Sequence, residues 1–144
     1  MQFDHIDESI LSILTNDGRT TNKEIARSLK VSEGTVRNRI NRMIETGSFQ
    51  IKGLIDAESR KEKQLVYVMI KLSGNRNSIE VARMVAALEP IRSVSIIAGR
   101  FDLLAEIYIE PHSLIEFLNT DLSRIESVLT VESLITLKNF NKWI

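Results

Sequence analysis

The sequence predicts an α+β protein, with a winged helix-turn-helix domain over residues 1–55, a hinge at 56–64 and a ferredoxin-like βαββαβ domain over residues 65–144. Three observations carry this prediction. The first third of the chain holds three short apolar stripes at helical spacing, and only about three residues separate the second stripe from the third. The remainder alternates runs rich in Val and Ile with helical patterns. Leu88, Ile91, Ser93 and Val94 also return as Leu122, Ile125, Ser127 and Val128, 34 residues later, which suggests a duplicated strand-helix-strand unit.

The elements follow in order. Asp4 is placed to cap a first helix whose apolar face is Ile6, Ile10, Leu11, Ile13 and Leu14, and Asn16-Asp17-Gly18 ends it. Thr21 and Glu24 have the capping-box spacing for a second helix with Ile25, Ala26 and Leu29 inside. Ser32 caps a third, with Val31 and Val36 in the staple positions and Val36, Ile40, Met43 and Ile44 along one face until Gly47. Residues 49–55 predict a short strand or wing, and the nearly all-polar run 56–64 a hinge. Strands are expected over 65–72, 94–98, 101–109 and 128–137, with helices over 78–88 and 111–122.

The third helix carries the chemistry. Arg37, Asn38, Asn41 and Arg42 project away from its apolar stripe, Arg39 lies on the flank, and Ser32, Gly34 and Thr35 stand at its positive end. Guanidinium groups reach phosphates or guanine edges, Asn pairs with adenine, and a helix N-terminus favours a phosphate, so this face suits double-stranded DNA. Net charge is zero for the whole chain, yet residues 19–42 hold seven bases against Glu24 and Glu33. The preceding stretch from Asp4 to Asp17 is acidic.

The strand over 65–72 is apolar on both faces, since Leu65, Tyr67 and Met69 alternate with Val66, Val68 and Ile70. Two helices cover only one face of such a sheet, so a second copy of the chain is expected on the other. With no cysteine, neither disulfides nor zinc-thiolate sites are available to two small domains. No stretch approaches a membrane span, and a cytoplasmic protein without membrane contact is expected.

The chain resembles the Lrp/AsnC family of leucine-responsive, or feast/famine, transcription regulators. The resemblance rests on Asp7-Glu8-Ser9-Ile10-Leu11, Asn16-Asp17-Gly18-Arg19, Leu29-Lys30-Val31-Ser32, Val36-Arg37-Asn38-Arg39-Ile40, Gly47, and Gly99-Arg100-Phe101-Asp102, and covers nearly the whole chain. It implies a winged helix-turn-helix joined to a regulatory domain, dimers that assemble into octamers or polymers, and amino acids as effectors. It also places the turn at residues 99–102 near an effector pocket, where Gly99 and Arg100 would offer N–H groups to a carboxylate and Asp102 a carboxylate to an ammonium. The other reading of that turn makes Gly99 a conformational requirement and Asp102 a cap. One departure from the family is Ala57-Glu58-Ser59-Arg60 where a Leu-Gly pair usually follows the linker aspartate, here Asp56.

Two other functions fit the same plan. Sirohaem decarboxylases share this two-domain arrangement, but His5 and His112 are the only histidines and no catalytic set can be placed, so neither enzyme activity nor a cofactor or metal is expected. An architectural protein that coats DNA without an effector is the second alternative.

Overall fold

The computed structural model describes residues 2–74 and 77–144. It divides into two compact units, one ending at Gly53 and the other running from Leu54 to Ile144.

The first unit holds α1 (His5–Asn16), α2 (Asn22–Leu29) and α3 (Glu33–Glu45). Each start is capped as the spacing predicts: Asp4 and Thr21 form capping boxes with Asp7 and Glu24, and Ser32 accepts from the Thr35 N–H. Lys30, in the left-handed region at φ 55°, ends α2 and turns the chain into α3 within three residues. At the far end of α3, Gly47 at φ +67° lets its own N–H reach the Ile44 carbonyl and the Ser48 N–H reach Met43, which satisfies two acceptors of the last turn. The helices bury Ile10, Leu14, Ile25, Ala26, Val36, Ile40 and Met43 against one another, with Phe49 folded back onto them. Residues 49–55 adopt no strand; the expected wing is an irregular connection. Its last residue, Ile55, instead exchanges two backbone hydrogen bonds with Ile144 in the second unit's own tail.

The second unit is an antiparallel sheet in the order β2-β3-β1-β4, built from β1 (Gln64–Leu72), β2 (Ile91–Ile96), β3 (Leu103–Ile109) and β4 (Val128–Ile135). Two helical connections, α4 (Ser78–Ala86) and α5 (Ser113–Glu116), complete the βαββαβ order, and α5 continues as a π-helical turn over Phe117–Leu122. Val66, Val68, Ile70 and Leu72 alternate with Leu103, Ala105, Ile107 and Ile109 on the face beneath the helices, where they meet Val81, Val85, Leu114, Phe117 and Leu122.

The other face is covered at one end only. Residues 56–64, expected to be a hinge, are packed into this unit: Asp56 starts a 3₁₀ turn (Ala57–Ser59), and Ala57 is buried with Leu65, Tyr108 and Ile144. The Tyr108 hydroxyl donates to the Ala57 carbonyl at 3.1 Å. Glu58 accepts from Lys138 Nζ at 2.7 Å and from both the N–H and the amide of Asn139, so the linker and the chain's end hold each other. A run without large apolar residues looked unable to anchor anything, but one alanine and one carboxylate suffice where the tail supplies partners. Tyr67 packs at the edge of this patch, and beyond it Met69 and Leu104 stay half-buried and Leu134 exposed on the same face.

Candidate nucleic-acid interface and effector cavity

Packing of Val36, Ile40 and Met43 into the three-helix core sets which side of α3 points outward. Arg37, Asn38 and Asn41 lie exposed on that side, Ser32 is exposed at the N-cap, and Gly34 and Thr35 are half-buried in the first turn. Thr35, Asn38, Arg39 and Arg42 line a shallow cavity of about 310 Å³. The structure thus brings together the polar set expected from the sequence, but two of its arginines are engaged by α1. Arg39 turns back onto α1, where its Nη1 donates to Asp4 at 2.6 Å and Asp7 at 2.8 Å, and Arg42 Nη2 donates to Asp7 at 2.7 Å.

These contacts make Asp7 a fully buried carboxylate, 1% exposed. Burial alone raises its pKa, but hydrogen bonds from Arg39 and the Asp4 N–H and the nearby Arg42 charge outweigh that, so it stays ionised below the usual carboxylate range. The Asp7 N–H, and after it the Arg39 guanidinium, lower Asp4 to about 2. The sequence marks Asp4 as a helix cap and gives Asp7 no role; their pairing with α3 is legible only as a matched spacing, since both the acidic and the basic pair are three residues apart.

In the second unit the turn expected to hold an effector separates into two parts. Gly99 sits at φ +150°, where a Cβ is strained, and so serves the turn itself. Arg100 is 82% exposed, stacked 5.2 Å over the Phe101 ring and 3.7 Å from Glu132. Asp102 faces inward. Its oxygens accept the Leu72 N–H at 2.8 Å and Lys71 Nζ at 3.0 Å, contacts that lower its pKa in that order. Through these contacts Asp102 ties the turn to β1. It also lines a cavity of about 460 Å³ with Lys71, Ser73, Gly74, Ser78 and Leu129. No local pattern announces that set, because Lys71, Ser78 and Leu129 come from different elements.

Among the described residues, no group of three or more His, Cys, Asp or Glu is placed to hold a metal. No helix among them is long and apolar enough to cross a membrane.

A capped three-helix unit with a polar third helix, followed by a four-stranded regulatory-type sheet, defines the class of two-domain DNA-binding transcription regulators. Comparison with known proteins narrows the class. Residues 3–47 match the winged helix-turn-helix DNA-binding family, and residues 65–142 match the Lrp/AsnC ligand binding domain. The chain belongs to the Lrp/AsnC family of transcription regulators. It is 31% identical over 130 residues to the HTH-type transcriptional regulator FL11 of Pyrococcus horikoshii, covering 90% of this chain and 83% of that one. Its fold matches the leucine response regulatory protein LrpA of Mycobacterium tuberculosis at a TM-score of 0.82 with 22% identity, over 97% and 96% of the two chains. The regulator NMB0573 of Neisseria meningitidis, solved as a complex with L-Met, matches at 0.72 with 21% identity over 98% and 94%. These families and relatives are transcriptional regulators, not enzymes.

Proposed function

We propose that this regulator reads DNA through α3, works as an oligomer built on the open face of its sheet, and responds to an amino acid or a related small zwitterion. The observation that carries the DNA reading is the outward face of α3, where Arg37, Asn38 and Asn41 stand free above a buried apolar stripe, with the Ser32, Gly34 and Thr35 turn at the positive end of the helix. A helix of this length fits the major groove, with Arg and Asn available to base edges and the first turn to a phosphate. Arg39 and Arg42 are both paired with the acids of α1.

The cavity around Asp102 supports the effector reading. Lys71 offers a cation and Asp102 a carboxylate, 3.0 Å apart at the wall of one cavity, and Ser73 and Ser78 add hydroxyls. An amino acid carries the complementary pair of charges. In this reading Asp102 both ties down the turn and meets an ammonium and Lys71 meets a carboxylate, while Gly99 and Arg100 lie outside the cavity lining and shape the turn that carries Asp102. The likeness to a regulator solved with L-Met is consistent with that class of ligand.

The test is a thermal-shift screen of the twenty amino acids on the full chain, followed by anisotropy titration of a genomic operator with and without each hit. A ligand that binds only the folded state raises Tm, and at a hundredfold excess over Kd it contributes about 2.7 kcal/mol. Cooperative coating of unrelated DNA, with no Tm shift for any amino acid, would instead favour the architectural alternative.

A further inference from the structure

Four charged side chains meet between α1 and α3. Arg39 carries two carboxylate contacts and is 22% exposed, Arg42 carries one and is 51% exposed, and Asp4, unlike Asp7, is 47% exposed. The four charges cancel. Of the five excess positive charges that residues 19–42 present in sequence, the two acids of α1 neutralise two, and among the guanidiniums of α3 only Arg37 keeps its charge unopposed among the described residues.

The oxygens of Asp4 have divided duties. Oδ1 caps the helix, accepting the Ile6 and Asp7 N–H groups at 2.9 and 3.0 Å, while Oδ2 accepts from Arg39 alone among the described residues, at 2.6 Å. The cap and the ion pair are therefore chemically separable.

We propose that the Asp4–Asp7 pair is a built-in competitor of the DNA backbone: its carboxylates occupy, at Arg39 and Arg42, the place that phosphate oxygens would take. Carboxylate and phosphate present similar acceptor geometry to a guanidinium, and phosphate contacts add affinity that carries no sequence information. Satisfying these two arginines within the domain lowers that sequence-independent affinity and leaves discrimination to Arg37, Asn38 and Asn41. Asp4, half exposed, is the displaceable member; Asp7, buried, is permanent and positions both guanidiniums. The inference rests on the reading of α3 as the DNA-contacting helix.

Asp4→Asn tests it with little risk to folding, because Asn caps a helix as well as Asp does while its amide nitrogen cannot accept from Arg39. Binding of the full chain to a random-sequence 30-bp duplex is followed by anisotropy over a KCl series. Asp4→Asn is expected to bind several-fold more tightly at low salt, with a slope of log K against log[salt] steeper by up to about 0.9, the value of one added phosphate contact. Glu8→Gln removes the same charge from an exposed position on the same helix that has no ion pair to α3 among the described residues, and it should leave the slope unchanged. Asp7→Asn should steepen the slope as Asp4→Asn does, with a lowered Tm. A slope for Asp4→Asn no steeper than that for Glu8→Gln overturns the proposal while leaving the DNA reading intact. A wild-type chain that binds no duplex overturns both.

Discussion

At the scale of single residues, the arginines of α3 divide by what their neighbours ask of them. Arg37 touches no acid among the described residues and stands exposed, so Arg37→Ala should leave Tm within a degree or so and weaken operator binding by about 1 to 3 kcal/mol if it reads a base. Operator affinity equal to wild type would remove that residue from the interface. Arg39→Ala is a different experiment despite the shared helix. It leaves the buried Asp7 with Arg42 alone and frees Asp4, and should cost on the order of 2 kcal/mol of stability, measurable in urea melts. The spacing on α3 identified both side chains as polar and outward, but said nothing about which would find a carboxylate 32 or 35 residues away. Asp102 teaches the same point. It closes the turn onto β1 through the Leu72 N–H, so Asp102→Asn should lower Tm as well as weaken any ammonium ligand.

At the scale of elements, β1 separates two kinds of apolar residue that its sequence left equivalent. Ile70 is fully buried beneath the helices, whereas Met69 is half-buried on the face that the linker and tail leave open. Ile70→Glu should therefore give misfolded protein, since an unpaired carboxylate in the core costs several kcal/mol. Met69→Glu should fold but sediment as a smaller species. Equal sedimentation of wild type and Met69→Glu at micromolar concentration would exclude this face as the interface between copies. The neighbouring Tyr67, Leu104 and Leu134 add apolar surface to the same face, beside Glu106 and Glu132. The linker behaves in the opposite way to expectation, because its partners lie about 80 residues further along the chain.

At the scale of the whole molecule, both units hold carboxylates whose pKa values are depressed on folding, and this sets the response to acid. Lys138 and then Asn139 hold Glu58 at about 2 against an ordinary value of 4.5, and Asp4 is likewise near 2 against 3.8. A depressed carboxylate contributes stability that is present above its unfolded pKa and is lost as pH falls through the folded one. Tm should therefore be flat above about pH 5 and decline between there and pH 2. Glu58→Gln should lower Tm at pH 7 and flatten that decline; a decline as steep as in wild type would show that the contacts of Glu58 contribute nothing to acid stability.

What the sequence by itself determined is everything carried by local periodicity: three capped helices, the three-residue turn before α3, and the order of strands and helices in the second unit; the family came from the resemblance of its motifs. These are set by contacts within about four residues, or by alternation along one strand, and such patterns are visible in any linear reading. The tertiary structure alone decided which arginines are free, which face of β1 is open, that residues 56–64 belong to the second unit, and that Asp102 shares a cavity with Lys71, Ser78 and Leu129. Each of these depends on partners brought together from 31 to 81 residues apart, and a charge or an apolar side chain does not reveal in sequence which distant group will satisfy it.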